Sequence, residues 1–83
     1  MYEVIIPPRV EREVKKLPEK LRGAIIEALT ELKIDPFIGK PLRMELTGRY
    51  TYHVRNYRIV YKIKELDKVV TVLKVKPRPI VYN

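Results

Sequence analysis

The sequence predicts an α+β domain in which a helical hairpin packs on one face of a mainly antiparallel, four-stranded sheet. The first half of the chain repeats apolar residues at helical spacing, whereas the second half alternates them with polar residues, as strands do. Prolines and short polar segments separate these stretches. Because a chain of 83 residues buries only one modest core, we expect residues 1–83 to form a single domain.

The N-terminal half predicts one strand and two helices. Tyr2 to Ile6 is a short strand-forming run that two prolines stop. Pro18 separates the two helices, and Asp35 precedes the proline that ends the second. Gly23 lies inside the second helix, where close packing against the first helix is one explanation for it. The helices are predicted from two apolar stripes, Val10, Val14 and Leu17, then Leu21, Ile25, Ala28, Leu29 and Leu32.

The C-terminal half predicts three strands after a loop that runs from Pro36 to Gly48. Arg55 and Asn56 connect the first two strands, and residues 65–67 connect the last two. Both connections have the length of a hairpin turn, so consecutive strands should pair antiparallel. The strands are predicted at Tyr50–Val54, Tyr57–Lys64 and Lys68–Val75.

Short hairpins determine the strand register, and the register determines which side chains share a face. A two-residue first turn and a three-residue second turn place apolar and aromatic residues on one face, which we expect the helices to cover. That face is predicted to hold Tyr50, Tyr52, Val54, Tyr57, Ile59, Tyr61, Ile63, Val69, Leu73 and Val75. The opposite face is predicted to hold Arg49, His53, Arg58, Lys62, Lys64, Lys68, Lys74, Lys76 and Arg78, with Val60, Val70 and Val72 among them.

The charge of the chain indicates a polyanionic partner. Eighteen Lys and Arg residues stand against ten Asp and Glu, which gives a net charge of +8 and a pI near 9.9. A solvated lysine face is the alternative explanation for the cations. However, like charges directly opposite one another destabilise a sheet, and Arg58 lies in the middle of one, between His53 and Lys74. We therefore expect this face to bind a phosphate backbone through Arg49, Arg55, Lys62, Lys74 and Lys76.

The composition excludes several kinds of site. There is no cysteine, one histidine and no serine, so we expect no disulfide, no bound metal or other cofactor, and no serine nucleophile. A chain without cysteine suits the cytoplasm. No apolar run approaches the roughly 20 residues that a membrane span needs, so we expect no membrane association.

Metal-free RNA cleavage remains available to such a face. In this reaction a ribose 2′-OH attacks the adjacent phosphorus, assisted by a base, an acid and cations. His53 can serve as acid or base because its ordinary pKa lies near neutrality. Arg58 offers a permanent charge for the developing phosphorane, and Tyr82 offers a ring and a hydroxyl.

These residues lie in segments that resemble a known family, and the resemblance extends over essentially the whole chain. The segments are Leu46 to Tyr50, Asn56 to Ile63, Val72 to Arg78, and Val81-Tyr82, with Asp35-Pro36 and Gly39 to Leu42 upstream. The Tyr-Arg-Ile-Val-Tyr core with a downstream arginine and a terminal tyrosine is similar to the C-terminal half of RelE/ParE toxins.

The resemblance implies the toxin half of a type II toxin–antitoxin pair. RelE-like members are ribosome-dependent mRNA endonucleases that enter the A site, and an acidic antitoxin neutralises them in a hetero-oligomer. Arg58 matches the family's phosphate-stabilising arginine, Arg78 matches the second arginine near the leaving group, and Tyr82 matches the C-terminal tyrosine.

Two positions depart from the family pattern and keep alternatives open. The strand before the first hairpin usually carries two basic residues, and here those positions are Thr51 and His53. Arg49 or Arg55 is a candidate to compensate for the missing cation. The alternatives are a ParE-like poison of DNA gyrase, or a catalytically inactive homologue that acts as an RNA-binding or co-repressor module with its antitoxin.

Overall fold

The structure is a computed structural model, and it describes residues 1–44 and 48–79. Two helices pack on one face of a five-stranded mixed sheet, which confirms the predicted α+β class. The helices are α1 (Pro8–Lys15) and α2 (Glu19–Ile34). The strands are β1 (Glu3–Ile5), β2 (Lys40–Pro41), β3 (Arg49–Val54), β4 (Tyr57–Lys64) and β5 (Val69–Pro77).

The sheet has the strand order β1-β5-β4-β3-β2, so it contains one more strand than predicted. The additional strand is β2, a two-residue segment inside the predicted loop that pairs antiparallel with β3. The sequence left the partner of the first strand open, and the structure shows that β1 pairs parallel with β5. The three long strands form an antiparallel meander in the centre.

Prolines and one carboxylate set the ends of the helices. Pro8 is the first residue of α1, where its missing N–H costs no hydrogen bond, and Pro18 directly precedes α2. Asp35 ends α2, and its side chain accepts a hydrogen bond of 3.0 Å from the backbone N–H of Phe37. Among the described residues, no helix is long and apolar enough to cross a membrane.

The core lies between the two helices and the sheet face that they cover. Both predicted apolar stripes contribute to it, with Leu17 and Leu21 only partly buried. The Tyr52 hydroxyl donates a hydrogen bond of 2.6 Å to the Glu31 carboxylate and so connects β3 to α2. The buried apolar residues of this core are Val10, Val14, Ile25, Ala28, Leu29, Leu32, Val54, Ile59, Tyr61, Val70, Val72 and Val75.

The predicted register of the first hairpin is confirmed at every pair. Val54 lies opposite Tyr57 and His53 lies opposite Arg58, as a two-residue turn requires. Arg55, in this turn, has a φ of 54°, a left-handed conformation that is uncommon for a residue other than glycine.

The predicted register of the second hairpin is wrong. The turn comprises four residues, 65–68, instead of three, and Lys68 adopts a φ of 56° there. A slip of one position exchanges the two faces of a strand. A β-bulge then follows, because Leu73 has no partner between the pairs Val60–Lys74 and Tyr61–Val72. The bulge exchanges the faces of β5 a second time.

The longer turn and the bulge each shift the register of β5 by one residue. The two shifts together restore the predicted faces after the bulge, so the prediction is wrong only for the part of β5 up to Leu73. Val70 and Val72, predicted on the polar face, are fully buried in the core. Val69 and Leu73, predicted in the core, are only partly buried and lie outside it. Lys68 leaves the polar face, and its ammonium lies 5.1 Å from the centre of the Tyr2 ring. Lys74 and Lys76 keep the face that the sequence predicts.

Candidate functional site

The face of the sheet that the helices leave open carries a row of cations, which we call the cationic face. It is formed by Lys40, Arg49, His53, Arg58, Lys62, Lys64, Lys74 and Lys76. Within residues 1–44 and 48–79, the one ion pair on this face joins Lys76 to Glu13 of α1, at 3.3 Å. The cationic face therefore keeps most of its positive charge for a ligand.

Arg58 lies on β4, the central strand of the sheet, at the end of the cationic face next to the β3–β4 turn. It is opposite His53 on one side and, because of the shifted register, opposite Lys76 rather than Lys74 on the other. Its Nε atom is buried and has no hydrogen-bond partner within the protein. The rest of the side chain borders two separate clefts, one shared with Arg49 and one shared with Arg9. A cation in this place is costly for the fold, so its position favours a role in binding.

Arg78 comes close to His53 and Arg58 because of a backbone contact beyond β5. The Arg78 N–H donates a hydrogen bond of 2.8 Å to the carbonyl oxygen of Asn56 in the β3–β4 turn. This contact holds the end of β5 against the hairpin that carries His53 and Arg58. Three of the residues predicted for catalysis are therefore neighbours at one end of the cationic face.

The surroundings of His53 favour its neutral form. His53 is exposed, and slight desolvation of its ring lowers its pKa below the ordinary 6.5. The charges of Arg78, Lys40 and Arg58 lower the pKa further. A neutral imidazole at physiological pH can accept a proton. The position therefore suits a general base.

Lys40 is a site residue that the sequence analysis missed. It lies on β2 directly opposite Thr51, and both residues line a shallow cleft together with His53. Thr51 itself is buried, and its hydroxyl oxygen has no hydrogen-bond partner within the protein. Lys40 thus places a cation beside the position where the family pattern expects one. Arg49 and Arg55, the compensating residues considered from the sequence, do not line the cleft of His53.

The remaining predicted site residues are more widely distributed. Lys62 is exposed on the cationic face opposite Arg49, and Arg55 is exposed at the hairpin turn. Lys74 and Lys76 line the cleft that also contains Arg9, a residue that was not predicted to belong to the site. Tyr82 lies outside the described residues. No group of three or more His, Cys, Asp or Glu side chains in residues 1–44 and 48–79 could hold a metal ion.

Comparisons with known proteins agree on one class of protein. A family model described as the ParE toxin of the type II toxin–antitoxin system matches residues 4–82. Toxin RelG of Mycobacterium tuberculosis is 34% identical over 84 aligned residues, which cover 99% of this chain and 97% of that toxin.

Solved structures of relatives have the same fold. The RelBE2 toxin–antitoxin complex of Mycobacterium tuberculosis contains a chain that is 33% identical, with a TM-score of 0.83 over 93% of this chain and 98% of that one. The archaeal RelE–RelB complex of Pyrococcus horikoshii contains a chain that is 28% identical, with a TM-score of 0.82 over 96% and 98%. The fold and the matches define a toxin of a type II toxin–antitoxin system. This chain belongs to the RelE/ParE family of these toxins.

Proposed function

We propose that the chain is a ribosome-dependent, metal-independent endoribonuclease that cleaves messenger RNA in the A site and so inhibits translation. The observation that carries this proposal is the convergence of His53, Arg58 and Arg78 at one end of the cationic face. These residues supply a neutral base and two permanent cations, which a 2′-OH attack on the adjacent phosphorus needs.

His53 removes the proton of the attacking 2′-OH in this mechanism. Its lowered pKa keeps the imidazole neutral near pH 7, and the surrounding cations favour an anionic substrate beside it. The bond between phosphorus and the 5′ oxygen then breaks, which leaves a cyclic 2′,3′-phosphate and a 5′-hydroxyl that takes its proton from solvent. Lys40, which lies opposite Thr51, lines the same cleft as His53. Its charge supports an active endoribonuclease over a catalytically inactive homologue.

Arg58 and Arg78 stabilise the charge that develops on the phosphorane and the leaving oxygen. Arginine suits this role because it stays protonated and presents a planar set of donors. Tyr82, which matches the family's C-terminal tyrosine, is proposed to stack on the substrate base. Arg49, Arg55, Lys62, Lys74 and Lys76 are proposed to hold the flanking RNA backbone.

The proposed partner in the resting cell is an acidic antitoxin, in a hetero-oligomer in the cytoplasm. Solved relatives are toxins in complex with antitoxins, which supports this part of the proposal. The charge of +8 supports an acidic partner.

The test is cleavage of messenger RNA on programmed ribosomes with a defined A-site codon, read by primer extension. Changing Arg58 or Arg78 to Ala should each lower the single-turnover rate by about 10²-fold, the scale of losing a donor to an oxyanion. Lys20→Ala, which removes an exposed cation on α2, is the matched control and should cleave at the wild-type rate. Wild-type cleavage by both arginine variants, or no cleavage by the wild type, would reject the proposal.

The metal-independent part has its own test. On ribosomes that keep their magnesium, messenger RNA should be cleaved at the same rate with and without a chelator selective for transition metals. Loss of cleavage on chelation, restored by adding one transition metal back, would contradict this part alone.

Poisoning of DNA gyrase is the second candidate, because the family model that matches is named for ParE toxins. A supercoiling assay with purified gyrase and the wild-type chain distinguishes the two candidates. Inhibition of gyrase without ribosome-dependent cleavage would establish the second.

A further inference from the structure

We propose that Arg9 on α1 completes a second phosphate-binding subsite, which holds the RNA phosphate next to the one cleaved at Arg58. This inference deepens the proposed function and rests on it. The subsite is the cleft of about 340 Å³ between α1 and the C-terminal half of β5, which we call the Arg9 cleft. Its lining residues are Arg9, Glu13, Arg58, Leu73, Lys74 and Lys76.

The β-bulge gives Arg9 its position. Leu73 has no partner in β4, and its carbonyl oxygen accepts a hydrogen bond of 3.2 Å from a terminal nitrogen of Arg9. This bond directs the guanidinium towards β5, and its remaining N–H groups are available to a ligand. Arg9 is also the second residue of α1, where a cation opposes the helix dipole. Its position is therefore unfavourable for the helix and favourable for binding an anion.

The Arg9 cleft lies next to the cleft that contains Arg49, because Arg58 and Lys74 line both. A chain of phosphates that crosses the cationic face would meet Arg49 on one side of Arg58 and Arg9 on the other. The Arg9 cleft adds Arg9 and Lys76 to these two shared cations, and the other cleft adds Arg49. The five cations together suit two adjacent phosphates. We favour RNA over an acidic peptide as the ligand, because two adjacent clefts that share Arg58 suit a backbone with one negative charge at each regular step.

Glu13 limits access to the Arg9 cleft. Its carboxylate forms an ion pair with the Lys76 ammonium and accepts a hydrogen bond of 3.3 Å from it. A phosphate that enters must compete with this carboxylate for Lys76 and is repelled by its charge. Glu13 should therefore weaken RNA binding, although it lies inside the binding cleft.

The experiment measures binding of the full chain to a six-nucleotide single-stranded RNA by fluorescence anisotropy. All riboses carry 2′-O-methyl groups, so the RNA cannot be cleaved by 2′-OH attack. Arg9→Gln should weaken binding roughly fivefold. It should also reduce the slope of log affinity against log salt by about 0.7, the loss of one phosphate contact on a single strand. Glu13→Gln should strengthen binding. Arg12→Gln removes the same charge from the exposed surface of α1 and is the matched control.

Each outcome decides the inference. Equal affinity and slope for Arg9→Gln and Arg12→Gln would overturn it, as would an Arg9 effect seen only with an acidic peptide in place of RNA. Arg9→Lys keeps the charge, so it should retain the salt slope and lose part of the affinity. Thermal unfolding of each variant tests whether the fold is intact.

Binding that depends on Arg9 without any cleavage on ribosomes would reject the proposed function and keep the subsite. Cleavage on ribosomes without Arg9-dependent binding would reject the subsite and leave the proposed function standing.

Discussion

The buried hydroxyl of Tyr61 on β4 donates a hydrogen bond of 2.7 Å to the carbonyl oxygen of Pro36, 25 residues earlier in the chain. Burial raises the pKa of Tyr61 to about 12, although a hydrogen bond with the Gly39 backbone acts in the opposite direction. The contact fixes the segment after α2 against the sheet, and this segment continues into Lys40, beside His53. Tyr61 therefore connects the core to the candidate site.

Replacing Gly39 with Ala should destabilise the protein. A Cβ atom at this position would lie 2.8 Å from the Thr51 carbonyl oxygen and would overlap the Tyr61 hydroxyl. The segment must move away from the sheet, at a cost of about 1–3 kcal/mol in unfolding free energy. Urea denaturation measures this loss. An unchanged midpoint would show that the segment adapts without strain.

Replacing Tyr61 with Phe should change how stability depends on alkaline pH. The folded pKa near 12 exceeds the ordinary value of 10.0, so the protonated phenol contributes stability that is complete below pH 10 and is lost as pH rises towards 12. At pH 7 the variant should lose about 1–3 kcal/mol, because the Pro36 carbonyl loses its partner. The difference between the two proteins should narrow above pH 10. A difference that stays constant over this range would contradict the assignment.

The single histidine allows a direct measurement of its pKa by NMR titration of the imidazole protons. The pKa of His53 should lie below 6.5, because slight desolvation and the charges of Arg78, Lys40 and Arg58 all disfavour the protonated form. Lys40→Gln should raise this pKa, whereas Lys20→Gln, a control on α2, should not. The rate of RNA cleavage should fall as pH decreases through the measured pKa. An ordinary pKa that neither variant shifts would remove the electrostatic basis for His53 as a base.

Replacing Arg58 with Met should stabilise the fold while it abolishes cleavage. The change removes a cation opposite Lys76 and an unpaired buried Nε atom, and it keeps an apolar side chain of similar length. The expected gain is about 0.2–1 kcal/mol at low salt, and it should shrink at high salt, where repulsion is screened. Lys64→Met, at an exposed site of the same strand that lies opposite Val69 and not opposite a cation, is the control. Destabilisation by Arg58→Met would mean that the fold needs this arginine.

Gly23→Ala should stabilise the protein. The sequence suggested close packing against α1 as one explanation for this glycine, but a Cβ atom there would have no neighbour within 4 Å. Alanine in a helix interior is favoured over glycine by about 0.5–1 kcal/mol. A rise in the thermal midpoint is expected, in the opposite direction to Gly39→Ala. A fall would contradict the open space that the structure has beside Gly23.

The first hairpin could be predicted because its turn has two residues, so the pairing of His53 with Arg58 followed directly. The register of the second hairpin could not be predicted, because nothing in residues 65–68 indicates that Lys68 adopts a left-handed conformation. Glycine or asparagine usually occupies such a position. The bulge at Leu73 also leaves no signal in an alternating strand. The two errors cancelled for Lys74 and Lys76, so most of the cationic face was predicted correctly.

The two residues that the sequence analysis missed depend on contacts between distant segments. Lys40 reaches the site only because a two-residue strand that contains Pro41 pairs with β3, and a proline argues against a strand. Arg9 reaches the site only because the bulge exposes the Leu73 carbonyl. Local periodicity predicts neither contact, because Lys40 pairs with Thr51 and Arg9 bonds to Leu73, both outside the same stretch of sequence.

The parallel pairing of β1 with β5 has a consequence for a chain that is made from its N-terminus. Glu3 pairs with Val69 and Ile5 with Thr71, so β1 leaves the ribosome before β5 and cannot dock until β5 has been made. Contacts this distant in sequence are slow to form. Arg58, Lys74 and Arg78 are also synthesised well after β1. A nascent chain therefore lacks both the closed sheet and the charged groups of its site until β5 and Arg78 have left the ribosome, and it then acquires them together.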